Sequence, residues 1–158
     1  MIILGIDPGT RRIGYGVVEY AGGKISFIDA GLLKIESVND PEALRETKKQ
    51  MDNVFKKFSP SVLSIEKLYF MKNQKTAIQV AQARGVVISA ATEYGLEIRE
   101  FAPNEIKLGI TGYGFADKKG VLKMVRLILN KPELDIIDDA SDALAAAIVA
   151  CKRRIAET

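Results

Sequence analysis

The pattern of apolar residues predicts a mixed α/β fold, one sheet of about five strands with helices on its faces. Three observations predict it. Ile2–Ile6 is a short, unbroken apolar run, as in a strand buried on both sides. Two alternating segments follow, joined by Ala21-Gly22-Gly23. From Asp40 onward, helical periodicity alternates with short apolar runs.

The elements follow in order. Asp7-Pro8-Gly9-Thr10 is a turn closing the first strand. Ile13–Tyr20 is the second strand and Lys24–Leu33 the third, together an antiparallel meander. Asp40 is expected to cap a helix whose first residue is Pro41. That helix carries Leu44, Met51, Val54, Phe55 and Phe58 on one face and stops before Pro60. Ser61–Glu66 is the fourth strand. A helix rich in small residues spans Gln74–Tyr94 and ends at Gly95. Leu96–Phe101 is the fifth strand. Helices are expected after Pro103, after Asp117, and from about Asp139 to Arg154. With no linker or repeat in its 158 residues, the chain is expected to form a single domain over 1–158.

Composition excludes several chemistries. There is no histidine, which removes Ser-His-Asp triads and histidine-ligated metals, and one cysteine cannot form an internal disulfide or a zinc finger. The longest apolar run, Ala143 to Cys151, is far short of the ~20 residues of a membrane span. The apolar start with its early acid is not a secretion signal, so a cytoplasmic location is expected. Lys+Arg 23 against Asp+Glu 20 gives a mildly basic +3. The basic residues gather at Lys72/Lys75, Lys107, Lys118/Lys119/Lys123/Arg126 and Lys152/Arg153/Arg154.

Carboxylates stand where they are costly. Asp7 and Glu66 each end an apolar strand. Taken alone, Asp7 reads as a turn cap and Glu66 as the ion-pair partner of Lys67. Asp139 and Asp142 share a helix face, where acids in a first turn suit the dipole. If the three places converge, each acid pair at ~4 Å repels by about 4 kcal/mol at an effective dielectric of about 20. Such a cluster makes sense around divalent cations, with oxygen ligands selecting Mg²⁺ or Mn²⁺. Two ions roughly 3.5–4 Å apart serve phosphodiester cleavage.

Gly5-Ile6-Asp7-Pro8-Gly9-Thr10-Arg11-Arg12-Ile13-Gly14-Tyr15-Gly16 strongly resembles the opening of the RuvC family, bacterial Holliday junction resolvases. Ile65-Glu66 with Gln82-Ala83-Arg84-Gly85 resembles its second signature, and Asp139-Ala140-Ser141-Asp142-Ala143-Leu144-Ala145 its third. The resemblance implies a ribonuclease H-like fold and a homodimer that nicks opposing strands of a four-way DNA junction in recombination and repair. It implies that Asp7, Glu66, Asp139 and Asp142 are the catalytic and metal-binding acids, with two Mg²⁺ expected and Mn²⁺ able to substitute. Asp138 is expected to be a cap or surface acid. The RuvA and RuvB branch-migration proteins are the implied partners.

Tyr69 and Phe70 are adjacent aromatics beside Lys72, with one expected to pack inward and one to stack on junction bases. Lys118 and Lys119 open a helix against its dipole, which makes an anion site suited to DNA phosphate. Lys107 falls where similar resolvases contact DNA. Gly109-Ile110-Thr111-Gly112-Tyr113-Gly114 reads as a mobile DNA-facing loop, since no acid follows at dinucleotide-site spacing. The small residues of the long helix suit close packing on the sheet, and the resemblance adds a dimer contact. The rival readings are a YqgF-like RNA nuclease, an actin-like ATPase sharing the first turn, and a junction binder without catalysis.

Overall fold

A computed structural model describes residues 1–69 and 74–156, and the side chains of Gln74, Lys75 and residues 153–156 are outside the description. Phe70 and Lys72 therefore lie outside the described residues. The strands are β1 (Ile2–Asp7), β2 (Arg12–Ala21), β3 (Lys24–Lys34), β4 (Val62–Glu66) and β5 (Glu97–Phe101). The helices are α1 (Asp40–Phe58), α2 (Gln74–Glu93), α3 (Pro103–Thr111), α4 (Lys118–Ile128) and α5 (Asp138–Ala156).

The sheet runs β3-β2-β1-β4-β5. β1, β2 and β3 pair antiparallel, as the glycine hairpin predicts, while β1–β4 and β4–β5 are parallel across helical crossovers. Alternation along the strands divides the core. Leu4, Ile6, Ile13, Val17, Leu63 and Ile65 pack with Met51 and Phe55 of α1 and Val87 and Ala91 of α2. Ile3, Val18 and Val62 pack on the other face with Leu144 and Ile148 of α5 and Val121 and Val125 of α4. Each fully buried Leu or Ile is worth about 1.5–3 kcal/mol of transfer free energy. Among the described residues no helix is long and apolar enough to cross a membrane.

Three local expectations are corrected. Asn39, not Asp40, caps α1: its side chain accepts from Glu42 N at 2.9 Å, and Asp40-Pro41 enter the first turn. The buried stripe of α1 is Ala43, Thr47, Met51, Val54 and Phe55, with Leu44 only half-buried. Gly109, Ile110 and Thr111 belong to α3 rather than to a loop. Gly109 is helical because α5 lies against it, where a Cβ would stand 2.9 Å from a Val149 methyl. The helix ends at Gly112, whose φ of 78° is left-handed.

Candidate active site

Strand alternation aims two of the acids. Ile3, Gly5 and Asp7 share one side of β1; Val62, Ser64 and Glu66 share the same side of β4. That side faces α5: Ser64 Oγ donates to Ala146 O at 2.7 Å. Ile6 pairs with Ile65, so Asp7 and Glu66 leave adjacent parallel strands at the same level.

Glycines bring the helix to them. A Cβ on Gly5 would stand 1.9 Å from Ala143 O, and one on Gly14 2.1 Å from Asp139 O. One on Gly16 would stand 2.7 Å from Leu144 N. Gly14 is also the antiparallel partner of Asp7 and Gly16 that of Gly5. The first turns of α5 thus rest on a glycine floor beside Asp7, with Ala140, Ala143 and Ala147 fully buried beneath the helix. No single motif in the sequence assigns the glycines this role; alternate-position glycines opposite an alanine-rich helix are its visible signal.

The electrostatics record the convergence. Asp7 is pushed from the ordinary carboxylate value to about 7, first by burial, then by Asp142, Glu66 and Asp139, against a smaller opposing effect of Lys118. Glu66 is raised by burial and by Asp142, while Lys107 lowers it. Lys107, rather than Lys67, is thus the cation whose field reaches Glu66. Asp142 is raised by burial, and Lys118 is the main opposing influence.

Basic side chains hold the acids. Lys118 Nζ lies 3.4 Å from Asp138 and 3.7 Å from Asp142. Arg12 Nε donates to Asp139 at 3.1 Å, a contact the sequence reading did not anticipate. Arg84 Nε donates to Glu66 O at 2.9 Å and its guanidinium pairs with Glu100, which gives the second motif an anchoring function at the end of β4. Asp138 is the exposed first residue of α5, as expected of a surface acid. Tyr69 is 59% exposed and borders a cleft of about 300 Å³ with Asp7, Pro8, Glu66 and Pro103. Lys119 is exposed on the outer side of α4, beside Lys123 and Arg126.

Among the described residues, no three acids stand together as a ready-made cation cage. Asp139 is turned to Arg12 and Asp142 toward Lys118. The donor set nonetheless suits a hard cation. It is all carboxylate oxygen, and a cation among these acids would offset the repulsion that raises Asp7.

The description "Crossover junction endodeoxyribonuclease RuvC" belongs to a family model that matches residues 3–150. A relative of that name from Thermosipho melanesiensis is 44% identical over 148 residues, covering 93% of this chain and 94% of its own. Another from Fusobacterium nucleatum is 41% identical over 149 residues, covering 94% of this chain and 78% of its own. The fold is similar to Thermus thermophilus RuvC in complex with Holliday junction substrate, with TM-score 0.90 and 31% identity over 99% of this chain and 96% of that one. The yeast mitochondrial resolvase Ydc2 shares the fold at TM-score 0.74 and 11% identity, covering 97% of this chain and 78% of that one.

Proposed function

The chain belongs to the RuvC family of crossover junction endodeoxyribonucleases, and from that membership we propose how its residues resolve a junction. It is a ribonuclease H-like Holliday junction resolvase of DNA recombination and repair. The YqgF-like RNA-nuclease reading is not favoured, because the RuvC match runs through residues 3–150.

In our reading Asp7, Glu66, Asp139 and Asp142 hold divalent cations, two Mg²⁺ per site with Mn²⁺ as a substitute. When bound, such ions lower the pKa of an attacking water and stabilise the departing 3′ oxygen. The observation that carries the reading is the placement of Asp7 and Glu66 on one side of neighbouring parallel strands, beneath the first turns of α5. Arg84 fixes the main chain at Glu66 so that its carboxylate keeps one aim. Lys107 and Lys118 offset part of the acids' charge and present cations to the phosphate of the cleaved strand. Lys119 adds a contact to a neighbouring phosphate. One of the pair Tyr69 and Phe70 stacks on a base of the opened junction, and Tyr69 stands at the rim of the cleft. The products are 5′-phosphate and 3′-hydroxyl ends.

We take residues 1–158 as a single nuclease domain acting in the cytoplasm. Two copies related by a two-fold axis match the near two-fold symmetry of an opened junction. The exposed face of α2, with Ile78, Ala81 and Gly85, suits that contact: Gly85 has open space around it and Ile78 is 61% exposed. RuvA and RuvB are the expected physical partners.

Calorimetric titration with Mn²⁺ tests the metal assignment. The wild-type protein should bind the ion, and Glu66→Gln should weaken binding while keeping its circular dichroism. Equal affinity in the two proteins would remove Glu66 from the site.

A further inference from the structure

Between α3 and α4, Gly112–Asp117 forms a short connection that displays two aromatic rings. Tyr113 is 62% exposed and Phe115 is 83% exposed. Their centroids are 5.8 Å apart, with planes inclined by 58°. Solvent-facing aromatics of this size forgo burial, so a use outside the fold is the physical question they pose.

The connection is pinned at both ends. Gly112 N donates to Leu108 O at 2.8 Å, and Tyr113 N donates to Thr111 Oγ1 at 3.0 Å. Ala116 N donates to Tyr113 O at 3.1 Å, and Asp117 accepts from Gly120 N at 2.8 Å. Ala116 packs into the core below α5. The backbone therefore fixes where the rings stand, and ordering them on a ligand costs little further entropy.

Charge identifies the ligand. The connection begins one residue after the helix of Lys107 and ends at the one opened by Lys118. Lys107 acts on Glu66, and Lys118 pairs with Asp142 and Asp138. The rings are thus tethered between the two cations that border the acids. A polyanion carrying planar bases fits cations and rings together, whereas an apolar peptide fits only the rings.

We propose that Tyr113 and Phe115 form a stacking platform for bases next to the scissile phosphate, and that this platform helps select the sequence at which the strand is cut. The proposal rests on the resolvase reading. It places the platform at the α3–α4 connection, apart from the loop of Tyr69.

The test uses the full chain and a four-way junction carrying 2-aminopurine beside the cleavage position. Fluorescence is read without Mg²⁺, and nicking is read with Mg²⁺ on junctions differing in the flanking bases. Wild-type protein should quench the probe. The double variant Tyr113→Ala/Phe115→Ala should lose the quenching, nick the preferred sequence about tenfold more slowly, and discriminate less between sequences. Phe115→Trp should retain both signals, which a merely structural role would not require. A double variant that quenches, nicks and discriminates like the wild type overturns the platform alone. The same holds if that variant loses only the binding of another protein. Wild-type protein that neither binds nor nicks any junction overturns the resolvase reading, and the platform with it.

Discussion

Gly14 lies directly beneath Asp139: a Cβ on Gly14 would stand 2.1 Å from Asp139 O and 2.9 Å from Asp139 Cβ. Gly14 is also the cross-strand partner of Asp7. One glycine therefore sets the separation between the strand that carries the first acid and the helix that carries the last two. Gly14→Ala must push backbone against backbone, which cannot relax by rotating a side chain. A cost of at least about 2 kcal/mol is expected, seen as a fall in Tm of roughly 4–8 °C. Thermal melting checks it, and an unchanged Tm would show that α5 does not rest on Gly14.

Asp7 makes stability depend on pH. Its value in the folded protein is about 7, against 3.8 ordinarily, so the folded chain holds more protons than the unfolded chain between those values. Stability from this group is therefore fully present below about pH 4 and is lost as pH rises through about 7. In EDTA, the Tm of the wild type should fall more steeply from pH 5 to 8 than that of Asp7→Asn. The variant should be the more stable protein at pH 8. Mg²⁺ should raise the wild-type Tm more at pH 8 than at pH 5, since it binds the ionised acids. Parallel pH profiles in the two proteins would contradict this account.

Lys118 is assigned to phosphate as well as to Asp142. Lys118→Ala should weaken junction binding for every sequence alike and reduce the slope of log affinity against log salt by about 1. Anisotropy titrations in EDTA at several salt concentrations measure both. An unaltered slope would confine Lys118 to balancing the acids.

Asp142→Asn keeps the shape of the side chain and removes its charge. Nicking should fall on the order of a thousandfold, the scale of losing a charge-stabilising group. Folding and junction affinity should be largely retained. Wild-type cleavage by this variant would exclude Asp142 from the chemistry.

Much of this arrangement is legible in the sequence. The antiparallel meander of β1, β2 and β3 follows from the apolar run at Ile2–Ile6 and the Gly22-Gly23 hairpin, because burial and turn geometry are local demands. The helix expected after Asp117 begins there, and the Asp117 side chain caps it by accepting from Gly120 N at 2.8 Å. What the sequence leaves open depends on close approach in three dimensions. Gly109 reads as loop but is helical, because the packing of Val149 against it decides. Asn39 and Asp40 are both good caps, and only backbone conformation distinguishes them. The convergence of Asp7, Glu66, Asp139 and Asp142 is an assumption in the sequence; in the structure, Gly5, Gly14 and Gly16 admit α5, with Asp139 and Asp142, to the side of the sheet that carries Asp7. Arg12 is part of the first motif, yet its bond to Asp139 spans a separation that no local pattern encodes.

The most direct test incubates the protein with a labelled synthetic four-way junction and with a linear duplex of the same sequence, with and without Mg²⁺. The account predicts paired, symmetric nicks confined to the junction and dependent on Mg²⁺. Nicks without a divalent cation, or equal cutting of the linear duplex, would contradict it.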